Sequence, residues 1–273
     1  MTPLAFTKMH GLGNDFVVLD GRRAAVQLSS VQAKLLADRH RGIGCDQVII
    51  IEPPQQGGDV FMRILNADGG EVEACGNATR CVAARLMKET GKNRLVIETK
   101  AGHVEAVPAG DGLISVDMGS ALLNWRDIPV ATVCDTLHMP VQKGPLRDPV
   151  GTSMGNPHAT FFVENADDIP LDTLGPVLEC DPFFPARANI GIASLEGKDR
   201  IRLRVWERGA GLTQACGSGA CAAAVAAARR GLTGRKVVVR TDGGDLSLHW
   251  REDGHVIMTG PVAVSFIGLW TEP

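Results

Sequence analysis

The feature of the sequence that most constrains this chain is a set of matches between its two halves. Ala74-Cys75-Gly76 recurs 141 positions later as Ala215-Cys216-Gly217, and Gly13-Asn14 recurs 142 positions later as Gly155-Asn156. Further short matches keep the same order and nearly the same spacing. The pattern predicts an internal duplication, so the 273 residues are expected to form two similar lobes.

Local patterns predict many short strands and a few helices. Most strand candidates are β-branched or alternate between apolar and polar residues, and most are bounded by Gly, Asp or Asn. They are 16–20, 48–52, 60–66, 95–99, 104–107 and 114–118 in the first half, and 160–163, 188–192, 201–207, 237–241, 246–250 and 256–258 in the second. The predicted helices are 30–39, 76–90, 171–179 and 217–230.

These elements predict an α+β fold of two pseudo-symmetric lobes, each a mostly antiparallel sheet curled around a central helix. The last predicted helix supports this arrangement, because Ala220–Ala228 is apolar on all sides and such a helix is buried. The predicted N-terminal lobe spans 1–120 and takes back a C-terminal strand at 262–273. The C-terminal lobe spans 121–261, and its proline-containing start, 121–149, is interpreted as the crossover.

Composition excludes several classes of function. A formal charge of −3 argues against a strongly basic nucleic-acid binder, and the longest apolar run, Ala220–Ala228, is shorter than the roughly 20 residues of a membrane span. The start of the chain lacks the charged and apolar regions of a secretory signal. We therefore expect a cytoplasmic protein with neither nucleic-acid nor membrane partners, whose seven cysteines are reduced.

The duplicated cysteines, Cys75 and Cys216, each stand at the start of a predicted helix. The first turn of a helix has unpaired N–H groups and the positive end of the helix dipole, which stabilise a thiolate and can hold a carboxylate. Two such helix starts, facing one carboxylate, would let one thiol remove the neighbouring proton while the other returns a proton to the opposite face. The pattern therefore predicts the site of a two-base racemase or epimerase.

The other five cysteines are interpreted as packing residues. Cys81 and Cys221 lie inside predicted helices, Cys134 and Cys180 have no repeated partner, and Cys45 follows a glycine-rich turn. The spacing of the helix cysteines is not that of a zinc knuckle, and there is no Cys-x-x-Cys motif, Walker A loop or dinucleotide fingerprint. We therefore expect neither a metal nor an organic cofactor.

Six motifs distributed along essentially the whole chain carry a resemblance to a known family. They are Lys8–Phe16 (KMHGLGNDF), Arg41–Gln47 (RGIGCDQ), Asn66–Asn77 (NADGGEVEACGN), Gly155–His158 (GNPH), Trp206–Gly209 (WERG) and Ala215–Cys221 (ACGSGAC). The Cys-Gly motifs also occur in related racemases, whereas the opening motif together with Asn66–Gly69 and Glu207–Gly209 is more specific. On these residues the chain resembles the diaminopimelate epimerases, cofactor-independent enzymes of lysine and peptidoglycan-precursor biosynthesis.

The resemblance implies a role for each matching residue. Cys75 and Cys216 are the implied acid/base thiols, and His158 and Glu207 lie near them and adjust their pKa values. Arg208 grips the distal carboxylate of the substrate with two parallel hydrogen bonds. The implied substrate-binding residues are Asn14, Gln47, Asn66, Gly76, Asn77, Asn156, Asn189, Glu207, Arg208, Gly217 and Ser218.

The chain departs from the family's usual residues at a few places. Ala78-Thr79 stands where Gly-Ala is usual, and Ser218 replaces Thr while keeping the hydroxyl. The family is dimeric, and its usual interface Tyr is Phe266 here, so the resemblance implies a homodimer with Phe266 near the interface.

Two other functions remain open from the residues. One is a proline or hydroxyproline racemase on the same fold, and the other is a thiol redox or metal-binding protein. The lobes differ at the site, since Asn66 matches Glu207 and Ala67 matches Arg208 at the 141-residue spacing. This asymmetry favours a substrate with two different ends, as diaminopimelate has, over a cyclic amino acid.

Overall fold

The structure of the chain is a computed structural model that describes residues 3–271. Within these residues it has four α-helices, namely α1 (Ser30–Ala37), α2 (Gly76–Thr90), α3 (Leu171–Glu179) and α4 (Gly217–Arg229), and a short 3-10 helix at Ala166–Asp168. The first strands are β1 (Leu4–Gly11), β2 (Asn14–Asp20), β3 (Gln47–Glu52), β4 (Val60–Asn66), β5 (Glu71–Val72), β6 (Leu95–Thr99), β7 (Gly102–Pro108), β8 (Ile114–Ser120), β9 (Gln142–Lys143) and β10 (Leu146–Arg147). The remaining strands are β11 (Val150–Ser153), β12 (Pro157–Phe162), β13 (Asn189–Gly197), β14 (Arg200–Glu207), β15 (Gly211–Thr213), β16 (Lys236–Thr241), β17 (Gly244–Trp250), β18 (His255–Gly260) and β19 (Ala263–Trp270).

The predicted helices and most predicted strands lie within a few residues of these bounds, but β1 was not predicted. Its polar residues hide the strand pattern, and the clearest case is Lys8, which is buried. The Lys8 ammonium donates to the carboxylate of Asp15 at 2.5 Å and to the carbonyl oxygen of Gly44. A lysine satisfied in this way can lie inside a sheet, and sequence periodicity does not reveal it.

The chain divides into two compact units. The first contains the described residues up to Val116 and those from Gly260 onward, and the second is Asp117–Thr259. The boundary therefore falls inside β8, whereas the sequence placed it after residue 120. The predicted strand at 262–273 is β19, which pairs with β1 of the first unit; Glu272 and Pro273 of that prediction lie outside the described residues, as do Met1 and Thr2.

The first unit combines parallel and antiparallel strand pairs. β2 is parallel to β3, β3 is antiparallel to β4, and β4 is parallel to β6. β6, β7 and β8 follow as antiparallel neighbours, and β1 pairs antiparallel with both β2 and β19.

The second unit repeats this pattern pair by pair. β12 is parallel to β13, β13 is antiparallel to β14, β14 is parallel to β16, and β16, β17 and β18 are antiparallel neighbours. The register repeats as well, because Phe16 faces Gln47 in the first unit and His158 faces Asn189 in the second, each 142 positions further on. The predicted α+β fold with an internal duplication is thereby confirmed.

Each unit has its own central helix. α2 packs against β1, β2, β6 and β7, and α4 packs against β11, β12, β13, β14, β16 and β17. Ala220–Ala227 is buried throughout against these strands, so a larger side chain there would overpack the core. α2 is buried along Asn77–Ala83 and more exposed in its second half, and it ends at Gly91, whose positive φ of 72° suits a glycine cap.

The proline-containing stretch 121–149 contributes to a hydrophobic core. It belongs to the second unit, where Ile128, Met139 and Leu146 are buried in the same hydrophobic cluster as Phe161. The stretch has little regular structure beyond the β9–β10 hairpin, so its sequence shows no periodicity, yet its apolar side chains complete this core.

In the described part of the chain, no helix is both long and apolar enough to cross a membrane. Over the same residues there is no group of three or more His, Cys, Asp or Glu side chains placed to hold a metal ion.

Two buried thiols of the first unit make its stability depend on pH. Burial raises the pKa of Cys45 and that of Cys81 from 9.0 to about 12. Below pH 9 these thiols are neutral in both states and the full stability is present; above it only the unfolded chain ionises them, so stability is lost as the pH rises toward 12. We expect each thiol to lower the free energy of unfolding by roughly 2.5 kcal/mol between pH 9 and pH 11.

Urea unfolding at the two pH values tests this expectation. The Cys81→Ala variant should lose less free energy of unfolding between pH 9 and pH 11 than the unsubstituted protein. Cys180→Ala, at an exposed thiol, is the matched control and should keep the full pH dependence. Equal losses in Cys81→Ala and in the unsubstituted protein would show that burial of this thiol is not the cause.

Candidate active site

In the first unit, Cys75 is the N-cap residue of α2 and is half-buried. The first bond of the helical ladder runs from Thr79 N–H to Cys75 O at 2.9 Å, so the N–H groups of Gly76 and Asn77 precede the ladder. The predicted helix-start donors and the Cys75 thiol therefore lie at one end of α2.

The side chain of Asn14 lies against this helix start. Its Oδ1 is 3.9 Å from Cys75 Sγ and accepts a hydrogen bond from Asn77 Nδ2 at 3.1 Å. Its Nδ2 donates to Asp46 Oδ2 at 2.8 Å. Because an ionised carboxylate only accepts, Asp46 fixes the Asn14 amide with its oxygen toward the thiol.

Asp46 is itself held by charged neighbours that sequence reasoning did not assign to the site. Arg39 Nη2 donates to Asp46 Oδ1 and to Asp15 Oδ1, both at 2.8 Å. Burial acts to raise the pKa of Asp15, but hydrogen bonds from Arg39 and Lys8 outweigh it and lower the pKa from 3.8 to about 2. Their position in the sequence could have identified them, because Asp15 is next to Asn14 and Asp46 is next to Gln47 in the quoted motifs.

Gln47 and Asn66 form a second pair in the first unit. They lie opposite each other on β3 and β4, and Gln47 Nε2 donates to Asn66 Oδ1 at 2.9 Å. Gln47 Oε1 is buried and accepts no hydrogen bond from the described residues. The pair therefore keeps one oriented acceptor.

In the second unit, Cys216 is the N-cap residue of α4, and its sulfur is used as the cap. Gly219 N–H donates to Cys216 Sγ at 3.3 Å. A Cβ at Gly219 would lie 3.2 Å from this sulfur and 3.0 Å from Val205 Cγ2, so glycine allows the approach. Ala78 is the matching residue of α2, where Cys75 makes no such cap.

A chain of polar side chains leads to Cys216. Its Sγ is 3.6 Å from Ser218 Oγ, Asn156 Nδ2 donates to Ser218 Oγ at 3.4 Å, and His158 Nε2 is 2.9 Å from Asn156 Oδ1. Since the amide oxygen can only accept, His158 donates through Nε2. Ser218 accepts from Asn156, which leaves the Ser218 hydroxyl proton to point at the sulfur.

His158 is linked to Cys216 through two polar side chains. Asn156 and Ser218 stand between His158 and Cys216 in the hydrogen-bonded chain. Burial, with a smaller effect from the charge of Arg208, lowers the pKa of His158 from 6.5 to about 3. His158 is therefore neutral near pH 7, and it orients Asn156 rather than adding charge.

The Cys216 thiol is neutral in this environment. Burial raises its pKa well above 9.0, and the negative charge of Glu207 adds to the rise, while hydrogen bonds from Ser218 and Gly219 oppose it. Glu207 accepts a hydrogen bond from Thr213 Oγ1 at 2.5 Å, which fixes its carboxylate. A Cys216 thiolate would accept hydrogen bonds from Ser218 and from Gly219 N–H.

Asn189 and Arg208 form one assembly at the end of β14. Asn189 is buried; its Oδ1 accepts from Arg208 N–H and its Nδ2 donates to Pro157 O, both at 2.9 Å. Arg208 Nη1 donates to Ala186 O at 3.0 Å, and the Arg208 residue is exposed. Asn189 therefore holds the backbone that carries Arg208.

Each unit gathers its own part of the predicted set. The first unit brings together Asn14, Cys75, Gly76 and Asn77, with Gln47 and Asn66 as a pair. The second unit brings together Asn156, His158, Asn189, Glu207, Arg208, Cys216, Gly217 and Ser218.

Of the five cysteines interpreted as packing residues, one is exposed. Cys45, Cys81 and Cys221 are buried and Cys134 is partly buried, as expected, but Cys180 is exposed just after α3. The prediction for Cys180 used only the absence of a matching cysteine in the other half of the chain, and that absence does not indicate whether a side chain is buried. Cys180 is the C-cap residue of α3.

Comparison of the fold with solved structures defines the class. A phenazine biosynthesis protein of the PhzF family from Bacillus anthracis is similar over 100% of both chains, with a TM-score of 0.73 and 15% identity. A hydroxyproline epimerase from Agrobacterium vitis, solved with bound trans-4-hydroxy-L-proline, matches with a TM-score of 0.70 and 15% identity over 98% of this chain and 92% of that one. The chain has the fold shared by these proteins.

Sequence comparison narrows the class to one family. The family model for diaminopimelate epimerase matches residues 6–123 and 151–265. A diaminopimelate epimerase from Acidiphilium cryptum is 58% identical over 263 residues, which is 96% of this chain and 95% of that protein. The chain belongs to the diaminopimelate epimerase family.

Proposed function

We propose that the protein is an isomerase that interconverts LL-2,6-diaminopimelate and meso-2,6-diaminopimelate without pyridoxal phosphate or a metal. The observation that carries the proposal is the pair of N-cap cysteines, Cys75 and Cys216, at the starts of the two duplicated central helices in a member of this family. Each thiol has an oriented polar partner, Asn14 for Cys75 and Ser218 for Cys216.

In the proposed reaction the two thiols act on opposite faces of one Cα. In one direction Cys75, as a thiolate, takes the proton as the Cα–H bond breaks, and the electron pair passes into the α-carboxylate. Cys216, which is held as a neutral thiol, donates its proton to the other face and becomes a thiolate. The helix-start N–H groups of Gly76, Asn77, Gly217 and Ser218 stabilise the charge that builds up on the carboxylate.

The remaining predicted residues hold the substrate's groups in this proposal. The Gln47 Oε1 acceptor, with Asn66 beside it, suits an ammonium group. Arg208 grips the distal carboxylate, and its backbone is held in place by Asn189. Asn14 and Asn156 take part through their amides, which Asp46 and His158 orient.

Exchange of the α-hydrogen in heavy water tests the activity. The purified protein is incubated with LL-diaminopimelate, loss of the α-proton signal is followed by NMR, and the meso form is measured by chiral chromatography. We expect exchange together with inversion. No exchange with diaminopimelate would overturn the proposal.

The same assay separates the alternatives. L-Proline and trans-4-hydroxy-L-proline are expected to remain unchanged, since neither has the distal ammonium and carboxylate that Gln47, Asn66 and Arg208 suit. Turnover of either in place of diaminopimelate would favour the racemase alternative. Activity that depended on a reversible disulfide or an added metal would favour the thiol redox or metal-binding alternative.

Gly219 offers a direct test of the Cys216 environment. A Cβ added at this residue lies close enough to Cys216 Sγ to push the sulfur from the cap. We expect Gly219→Ala to lower kcat/KM by about tenfold or more, because small misplacements of a reacting group cost large factors in rate. Gly234→Ala, where the added Cβ meets nothing within 4 Å, is the matched control; equal kcat/KM in both variants would contradict a role for the cap.

We also propose that the protein works in the cytoplasm, where thiols stay reduced, and that it forms a homodimer with Phe266 near the interface. β19 exposes apolar side chains, with Val264 59%, Phe266 48%, Ile267 76% and Leu269 71% exposed. Such a cluster is typical of a surface that another protein covers.

Analytical ultracentrifugation tests the dimer. We expect Phe266→Asp to shift the sedimenting mass from two chains to one, because a charge in an apolar contact is not compensated. Val133→Asp, at an exposed valine of the second unit, should leave the mass unchanged. A single-chain mass for the unsubstituted protein would contradict the dimer.

A further inference from the structure

Glu179 is a buried carboxylate outside the predicted site, at the last residue of α3. One of its oxygens, Oε2, accepts from the Trp206 indole Nε1 at 2.7 Å, and the other, Oε1, accepts from the backbone N–H of Gly209 at 3.0 Å. These two donors flank Glu207 and Arg208 in the sequence. A single carboxylate therefore holds both ends of the segment Trp206–Gly209, which includes the charged pair of the second unit.

Glu179 also contacts the stretch 186–189, which binds Arg208. Its carbonyl oxygen accepts from Ala188 N–H at 3.3 Å, and Arg187 Nη1 lies 3.5 Å from its Oε1. This neighbouring stretch supplies Ala186 O, which accepts from the Arg208 guanidinium, and Asn189 Oδ1, which accepts from the Arg208 backbone. Both stretches that fix Arg208 are thus tied to one residue.

Packing accounts for part of this arrangement but not for all of it. A Cβ at Gly175 of α3 would lie 2.5 Å from Trp206 Cγ, so close contact between α3 and β14 already fixes the indole. Gly209 is different, because it is exposed and has a positive φ of 75° in the turn after β14. Its hydrogen bond to Glu179 links this exposed turn to the buried end of α3.

We propose that Glu179 is a positioning residue that sets the affinity for the substrate by holding the Glu207–Arg208 segment in place. The inference rests on the proposed function, in which Arg208 grips the distal carboxylate. Glu179 touches neither the reacting thiol nor the substrate in this scheme. Its loss is therefore expected to change KM more than kcat, because the thiols keep their places and Glu207 keeps its own hydrogen bond from Thr213, while the grip on the distal end loosens.

The test compares Glu179→Gln, Trp206→Phe and their combination with the matched control Glu164→Gln at an exposed glutamate of the same unit. A glutamine at 179 can keep one acceptor toward Gly209, but its NH₂ group then meets the indole N–H, so two donors face each other. We expect Glu179→Gln to raise KM for diaminopimelate about tenfold while kcat changes less than about threefold. The double variant should recover part of the lost affinity, since Trp206→Phe removes the opposing donor.

Hydrogen exchange of the unsubstituted protein provides a readout that does not need activity. The Gly209 amide and the Trp206 indole N–H, assigned by ¹⁵N NMR, are expected to exchange slowly although Gly209 is exposed, and this protection should be lost in Glu179→Asp, whose shorter side chain does not reach both donors. An unchanged KM in a folded Glu179→Gln variant, or fast Gly209 exchange in the unsubstituted protein, would overturn the inference. An inactive unsubstituted protein with slow Gly209 exchange would instead overturn the proposed function and leave the positioning contact standing.

Discussion

Replacing Cys75 or Cys216 by alanine is expected to lower the rate of diaminopimelate epimerisation by roughly 10³-fold, because each substitution removes one of the two proton-transfer groups. The two helix starts are not equivalent, since Cys216 is buried and capped by Gly219 N–H whereas Cys75 is half-buried and approached by Asn14. Neither can replace the other, as each serves one face of the Cα in the proposed reaction. Both single variants are therefore expected to lose nearly all epimerase activity.

The measurement is the initial rate of meso product formation, with α-hydrogen exchange followed in the same heavy-water sample. Cys180→Ala is the matched control, because this thiol is exposed and is not part of the proposed site. Circular dichroism confirms that each variant is folded. Full activity in a folded Cys75→Ala or Cys216→Ala variant would end the two-thiol mechanism, while the family membership of the chain would stand.

Gly42→Ala is expected to destabilise the first unit by roughly 3 kcal/mol or more, at the upper end of what overpacking costs. A Cβ at this position would overlap the carbonyl oxygen of Leu35 at the end of α1. The loop cannot simply move outward, because Gly42 N–H donates to Asp38 O and Cys45 N–H donates to Ala37 O, at 2.9 and 3.1 Å. The substitution must break these bonds or unwind the last turn of the helix.

The same change is expected to reduce activity in molecules that remain folded. Asp46 follows this loop and orients the Asn14 amide at Cys75, so a displaced loop misplaces Asn14. We expect kcat/KM to fall by roughly 10²-fold, measured below the unfolding temperature of the variant. Gly234→Ala serves as the control here too, since it adds a methyl group in open space. A Gly42→Ala variant with the stability and kcat/KM of this control would refute the close contact.

The duplication could be predicted because the matching residues of the two halves keep a nearly constant spacing along the chain. The 142-residue offset between Phe16 and His158 reappears as the same strand register in both units, and the bounds of α2 and α3 agree with their predicted ranges. Helix starts were predictable as well, since a Cys-Gly step followed by small residues is a local pattern. In these cases, residues that are neighbours in the sequence are enough to predict where a helix begins.

Other features depend on contacts that no local pattern records. The burial of Lys8 in β1 requires Asp15 and the Gly44 carbonyl, and the support of Asn14 requires Arg39 and Asp46. The carboxylate of Glu179 serves Trp206 and Gly209, which follow it by about 30 residues. Such pairs join residues that are far apart along the chain, so the sequence does not show which residues will meet. From the sequence alone, each charged member is most simply predicted to be exposed.

The contrast between the two central helices has a consequence for how this protein can change over time. α4 packs against six strands and consists of Gly, Ala, Ser, Cys and one Val over Gly217–Ala228, whereas α2 carries Arg85, Lys88 and Glu89 in its second half. Substitutions that enlarge a side chain are therefore tolerated in the second half of α2 and rejected along almost all of α4. Both cysteines stand at helix starts that accept little variation, because Asn77–Ala83 is buried just as Gly219–Ala227 is. Mutations that leave the thiols undisturbed are accordingly more accessible at the far end of α2 than beside either cysteine.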